Sequence, residues 1–163
     1  MLSLVVMPLV MMAQMKIATV NVQSVFDAMP ETKLANEQLE KASQQYKAEY
    51  EMMQAEFNTK YAAYQAIASK NDTPVTIRDR RVREIQDFDR EIEAFLARSQ
   101  ASLATMKQAL EAPIYTKINA AIKNVGDAGG YTYIIDVSKT PVVYSGTSAI
   151  DVTGQVKRAL GIN

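Results

Sequence analysis

The chain has 163 residues, the length of one ordinary domain, and its 18 basic and 18 acidic residues balance. This neutrality gives no indication of nucleic acid or of an anionic membrane as a partner for the whole chain. Cys and His are absent, which excludes disulfides and thiolate metal sites and removes the commonest general base.

The first residues differ in composition from the rest. Leu2–Met12 is an apolar run that only Ser3 and Pro8 interrupt. It is too short to span a bilayer, which takes about 20 residues, and it fits the apolar core of a secretory signal peptide. We predict that residues 1–14 are a signal peptide; the absence of a preceding Lys or Arg suggests that the natural start lies further upstream. A buried N-terminal strand or helix is the alternative.

Residues Lys16–Val22 alternate in polarity and predict a strand, with Ala18, Val20 and Val22 on one face. Ser24 is the predicted cap of a short helical turn that Pro30 interrupts.

A long helix is predicted over residues 31–70, because an apolar stripe repeats there without Gly or Pro. The stripe has an eleven-residue period, which keeps it on one face of a nearly straight helix. Its members are Leu39, Ala42, Tyr46, Tyr50, Met53, Phe57, Tyr61, Tyr64 and Ala68.

A second long helix is predicted over residues 75–112, after a breaker at 71–74. Its stripe is Val82, Ile85, Phe88, Ile92, Leu96, Leu103, Met106 and Leu110. Two long helices joined by a short turn fold back antiparallel, so residues 31–112 form a helical arm roughly 55–60 Å long that we expect to project.

The C-terminal part returns to strands. Pro113 predicts a kink or a new helix start, and the helix is expected to end near Gly126. Residues 131–137 and 142–144 are predicted as the two strands of a hairpin around Pro141. Asp151 or Thr153 is the predicted cap of a last helix.

Residues 15–30 and 113–163 are therefore predicted to form a small β-rich body. The fold class is α+β and mostly helical, with the arm mounted on this body. Three short strands bury too little to be stable alone, and their apolar edges favour pairing with another copy. The predicted oligomerisation residues are Ile17, Val20, Val22, Ile134, Ile135, Val142 and Val143.

Two features of the arm allow a structural and a functional interpretation. The Tyr-rich stripe is the seam of the hairpin, and it can also contact a bound partner through Tyr50, Tyr64 and the flexible Met52. The basic tip is a solvated surface with local ion pairs, or it contacts anionic lipid headgroups or acidic segments. The residues concerned at the tip are Lys70, Arg78, Arg80, Arg81 and Arg83.

No catalytic, cofactor or metal residues are predicted. Gly126, Gly129 and Gly130 precede a strand and lack a following Gly-Lys-Ser or Gly-Lys-Thr, so they are turn residues and not a phosphate loop. The carboxylates lie on predicted exposed helix faces. Any activity is therefore expected to be independent of ATP, and an enzyme is disfavoured.

Several short segments, in this order around the arm, resemble the Skp/OmpH family of periplasmic chaperones. They are Lys16–Val22 followed by Ser24–Phe26, then Gly130–Tyr131, Ile134–Asp136, Val142–Tyr144 and Ile150–Thr153. The resemblance implies a periplasmic homotrimer whose β body is shared by three subunits. It also implies that three arms enclose a cavity that holds unfolded outer-membrane proteins. The alternative hypothesis is a structural coiled-coil spacer or adaptor of the cell envelope.

Overall fold

The computed structural model describes residues 15–162, and the predicted signal peptide lies outside them. The elements are β1 (Ile17–Val20), α1 (Val22–Ala28), α2 (Pro30–Ala68), α3 (Val75–Gly129), β2 (Tyr133–Asp136), β3 (Ile150–Asp151) and α4 (Thr153–Ala159). They form two compact units. Residues 15–29 and 115–162 make up the body, and Pro30–Ile114 make up the arm. The predicted class, mostly helical with a small sheet, is confirmed.

The sheet of the body is entirely parallel, in the order β2-β1-β3. Ile17 pairs with Tyr133, and Ala18 pairs with Ile150 on the other edge of β1. The predicted hairpin is therefore wrong, because residues 142–144 form no strand. Pro141 supplies no N–H for a ladder, and β3 already occupies the edge of β1 that β2 leaves free.

The core of the body lies on one face of this sheet. Ala18 and Val20 are each only 1% exposed, which confirms the alternation predicted for β1. Val25 of α1, Ile118 of α3 and Val156 of α4 are completely buried. Phe26 stacks on Tyr115 with ring centres 4.8 Å apart. One strand face and three helices thus share a single small core.

Polar bonds fix how β1 passes into α1. The cap of α1 is Asn21, whose side-chain oxygen accepts from the Ser24 N–H at 2.8 Å, so the predicted Ser24 cap is wrong. The Asn21 N–H donates to the Thr153 hydroxyl. The hydroxyl and the N–H of Thr153 both donate to Oδ1 of Asp151. The N-cap residue of α4 is Val152, which lies between them. The turn before α1 is therefore tied directly to the start of α4.

Helix α3 runs through Pro113 without a break, so the predicted new helix start is wrong. Pro113 removes one backbone hydrogen bond, but Ile114 and Ile118 just beyond it are 3% and 0% exposed, and their burial favours continuation. The helix ends three residues later than the predicted Gly126. Gly130 follows it with a φ of +63°, and the Lys16 ammonium donates to the Gly129 carbonyl at 2.7 Å.

The arm is an antiparallel pair formed by α2 and the first part of α3. Tyr46 meets Phe95 edge to face, with ring centres 6.1 Å apart, and the ammonium of Lys60 lies 5.1 Å from the centre of the Phe88 ring. Between these helices, Ile92, Phe95 and Ser99 are the buried positions furthest from the ends of the arm. Most other seam positions are half-buried, so much of the seam stays accessible to solvent.

Two members of the predicted stripes lie off the seam. Phe95 is 8% exposed while Leu96 is 37% exposed, so the seam of α3 contains the neighbour of the predicted residue. On α2, Lys60 is half-buried and Tyr61 is 46% exposed. The eleven-residue period therefore holds as far as Phe57, and beyond it the spacing shortens to the three-and-four pattern of a heptad.

Candidate functional site

The outer face of the body's sheet is uncovered in the described chain. Ile17, Tyr133 and Ile135 are 46%, 58% and 38% exposed, and the register places Ile17 directly beside Tyr133. Parallel sheets are almost always covered on both faces. A parallel sheet with an apolar face open to water is therefore the first candidate binding surface.

A loop beside this sheet adds further exposed apolar area. Val142, Val143 and Tyr144 are 43%, 100% and 84% exposed. The strands β2 and β3 are the two edges of the sheet, and each pairs only with β1 within residues 15–162. The body thus presents an apolar face, an apolar loop and two strand edges.

The structure divides the predicted oligomerisation residues into two groups. Val20 and Val22 are 1% and 7% exposed, so their side chains belong to the body's own core and offer no surface to another chain. Ile134 is half-buried. Ile17, Ile135, Val142 and Val143 are exposed. Sequence reasoning missed Tyr133, although the alternation of β2 places it on the same face as Ile135.

Asp136 stabilises the junction between β2 and α1. Its Oδ1 accepts from the Val22 N–H at 3.2 Å, from the Ser138 N–H at 2.9 Å and from the Ser138 hydroxyl at 2.6 Å. Burial raises the pKa of Asp136, but these hydrogen bonds and the nearby Lys139 outweigh burial and leave the pKa below its ordinary value. The carboxylate is therefore ionised at neutral pH and has a structural role.

The three predicted client-contacting residues of the arm do not form one surface. Tyr50 and Tyr64 are half-buried along the seam. Met52 is 67% exposed, and its position two residues after Tyr50 turns it about 200° around the helix. The seam interpretation therefore describes Tyr50 and Tyr64 better than it describes Met52.

A groove of about 500 Å³ lies between the two helices of the arm. Leu39 of α2 and Leu103 and Ala104 of α3 provide its apolar part. Asn36, Glu40, Ser43 and Lys107 line the rest. Sequence reasoning did not identify this groove, since both leucines belong to the stripes that it assigned to the seam.

The charges at the tip of the arm are partly paired. Glu84 binds Arg81 at 2.7 Å and Arg80 at 3.6 Å, and the Arg81 hydrogen bond is the main cause that lowers the pKa of Glu84. These two arginines support the interpretation of a solvated tip with local ion pairs. Lys70, Arg78 and Arg83 form no ion pair with any described residue.

The described residues contain no group of three or more Asp or Glu side chains arranged to hold a metal ion. None of the described helices is both long and apolar enough to cross a membrane. The candidate surfaces in the described part of the chain are the outer face of the sheet and the groove between the arm helices.

Comparisons with known proteins identify the family and the fold. Residues 16–160 match the protein family described as outer membrane protein (OmpH-like). The chain belongs to the OmpH-like family. This OmpH-like protein is also similar to a solved structure from Caulobacter crescentus CB15, described as an OmpH-like outer membrane chaperone. The two share 16% identity with a TM-score of 0.74, over 91% of this chain and 85% of the other, which shows a common fold. A comparison with curated proteins finds no match.

Proposed function

We propose that this OmpH-like protein is an ATP-independent holdase chaperone that binds unfolded outer-membrane proteins in the periplasm. Its family membership and the chaperone description of the Caulobacter structure support a chaperone role in general. In this proposal the active form is a homotrimer, and its arms enclose the bound client.

The observation that carries the proposal is the uncovered face of an all-parallel sheet. Ile17, Tyr133 and Ile135 expose large apolar side chains on a body that contains only three short strands. Covering this face with other copies of the chain gives the sheet its second layer. It also gives each assembly several arms that surround a common space.

The arm supplies many weak contacts in place of one strong site. Its seam side chains are mostly half-buried, and Tyr61 and Leu96 are each more than one-third exposed. An unfolded outer-membrane protein presents short segments of alternating apolar residues. Several arms that each hold such segments weakly gain avidity, and the client leaves without a source of energy.

Light scattering tests the holdase role. A urea-unfolded outer-membrane β-barrel protein is diluted with and without a molar excess of the chain, and scattering is expected to fall when the chain is present. Suppression for several unrelated barrels supports a holdase. No suppression, together with tight binding of one defined envelope protein, would instead support the spacer or adaptor.

A further inference from the structure

We propose that the arm binds its clients on one side only, and that this side is marked by Leu39, Tyr50, Tyr61, Leu96 and Leu103. We call this the open side of the arm. The inference rests on the proposed holdase function, and it specifies which surface of the two-helix arm does the binding.

The groove between the helices defines where the open side begins. Its apolar part combines Leu39 with Leu103, which brings one flank of α2 beside one flank of α3. Its volume of about 500 Å³ is large enough for more than one apolar side chain.

Helical periodicity places further apolar side chains above this groove. Tyr50 and Tyr61 follow Leu39 by eleven and twenty-two residues, which returns them to nearly the same side of α2. Leu96 precedes Leu103 by seven residues, or two turns, and so lies on the matching side of α3. Tyr61 is 46% exposed and stacks on Phe57, with ring planes inclined by 4°, and Leu96 is 37% exposed. The open side therefore continues from the groove along the arm.

The opposite side of the seam is closed by charged groups. Lys60 precedes Tyr61 by one residue, which turns it about 100° to the other flank of α2. Its ammonium covers the Phe88 ring at 5.1 Å and pairs with Glu56 at 3.0 Å. Glu84 on the neighbouring helix holds Arg81 at 2.7 Å. On this side a client would have to displace ion pairs before it could reach an apolar group.

The chemistry of the open side suits an extended unfolded segment better than a second arm. Asn36 and Ser43 place an amide and a hydroxyl at the groove, where they can pair with the free N–H and C=O groups of an extended backbone. Glu40 and Lys107 carry opposite charges there, and the Lys107 ammonium also lies 3.8 Å from Glu111, so neither sign of client charge is favoured. Tyr61 and Leu96 together expose roughly 150 Å², a small share of the roughly 800 Å² that each partner of a stable dimer buries.

The experiment compares two exposed leucines of the same arm. Leu96→Gln alters the open side, and Leu34→Gln is its matched control. Leu34 is 57% exposed but lies five residues before Leu39, about 140° around the helix. Binding of a fluorescently labelled, urea-unfolded outer-membrane β-barrel protein is measured by anisotropy. We expect Leu96→Gln and Tyr61→Gln each to weaken binding by roughly three- to tenfold, and Leu34→Gln to leave it within about twofold.

A second measurement does not depend on loss of affinity. The chain has no Cys, so Leu96→Cys and Leu34→Cys each carry a single environment-sensitive dye. The client is expected to shift the emission of the dye at position 96 and not at position 34. Equal shifts at positions 96 and 34, or equal weakening by Leu96→Gln and Leu34→Gln, overturn the inference while wild-type binding preserves the holdase function. Loss of self-association in Leu96→Gln with unchanged client binding would assign the open side to a second copy, which also overturns it. Failure of the wild-type chain to bind any client would remove the proposed function itself.

Discussion

Tyr133→Asp is expected to dissociate the proposed homotrimer, because Tyr133 is the most exposed side chain on the outer face of the sheet. A tyrosine side chain has roughly 200 Å² of surface. With 58% exposed, about 115 Å² remains to be buried by a partner, which is worth about 3 kcal/mol per chain at 25 cal/mol per Å². Ile17 and Ile135, at 46% and 38% exposed, each add about 1 kcal/mol.

Losing about 3 kcal/mol per chain lowers the association constant roughly hundredfold for each chain in the assembly, and burying an aspartate carboxylate in the interface costs more. Sedimentation equilibrium at micromolar concentration should give about three chain masses for the wild-type protein and one for Tyr133→Asp. Thr140→Asp adds the same charge at an exposed turn of the body and should stay assembled. If Tyr133→Asp sediments with the wild-type mass, the outer face of the sheet is not the interface between copies.

Three further predictions concern stability. Phe95→Ala removes a buried ring that meets Tyr46 edge to face and should destabilise the arm by about 3 kcal/mol in urea unfolding followed by circular dichroism. Gly130→Ala forces a side chain into a φ of +63° and should cost about 1 kcal/mol, seen as a lower Tm. The folded pKa of Asp136 is below its unfolded value of about 3.9, so its carboxylate stabilises the body above that pH, and the contribution is lost as pH falls toward the folded pKa. Asp136→Asn should therefore lower stability at neutral pH and flatten its acid dependence; an unchanged profile would contradict the role given to this carboxylate.

The sequence predicted the long elements well because their signals are repeated many times. The stripe from Leu39 to Phe57, the breaker before Val75 and the alternation of β1 all appear in the structure. Each rests on several residues that agree on one period, so no single side chain decides the outcome.

The seam differs from its prediction at positions where either of two adjacent residues could face the partner helix. Leu96 and Phe95 are adjacent and both apolar, so a pattern of period 3.6 cannot assign one of them to the seam without the position of the partner helix. Lys60 occupies the seam in place of Tyr61 because its long apolar stem fits beside Phe88 while its ammonium lies over the ring and reaches Glu56.

The sheet topology could not be predicted from local sequence patterns. Val142–Tyr144 has the composition of a strand but is a loop, whereas Ile150–Asp151 is a strand of only two residues. Its parallel pairing with Ala18 and Thr19 depends on a partner more than 130 positions away, which local alternation does not encode. The candidate surfaces differ in the same way. The arm was predicted from its repeats, whereas the exposure of Tyr133 and the groove at Leu39 depend on how the elements pack.

The central position of β1 also dictates an order of events during synthesis. Ile17 pairs with Tyr133, 116 residues later, and Ala18 pairs with Ile150, so no strand of the sheet has a neighbour until nearly the whole polypeptide has emerged. The arm, built from helices adjacent in the chain, can form well before this, since local contacts close fastest. In each newly made molecule β1 therefore stays unpaired for a time, and an unpaired strand can associate with other chains, as the strands of its proposed clients can.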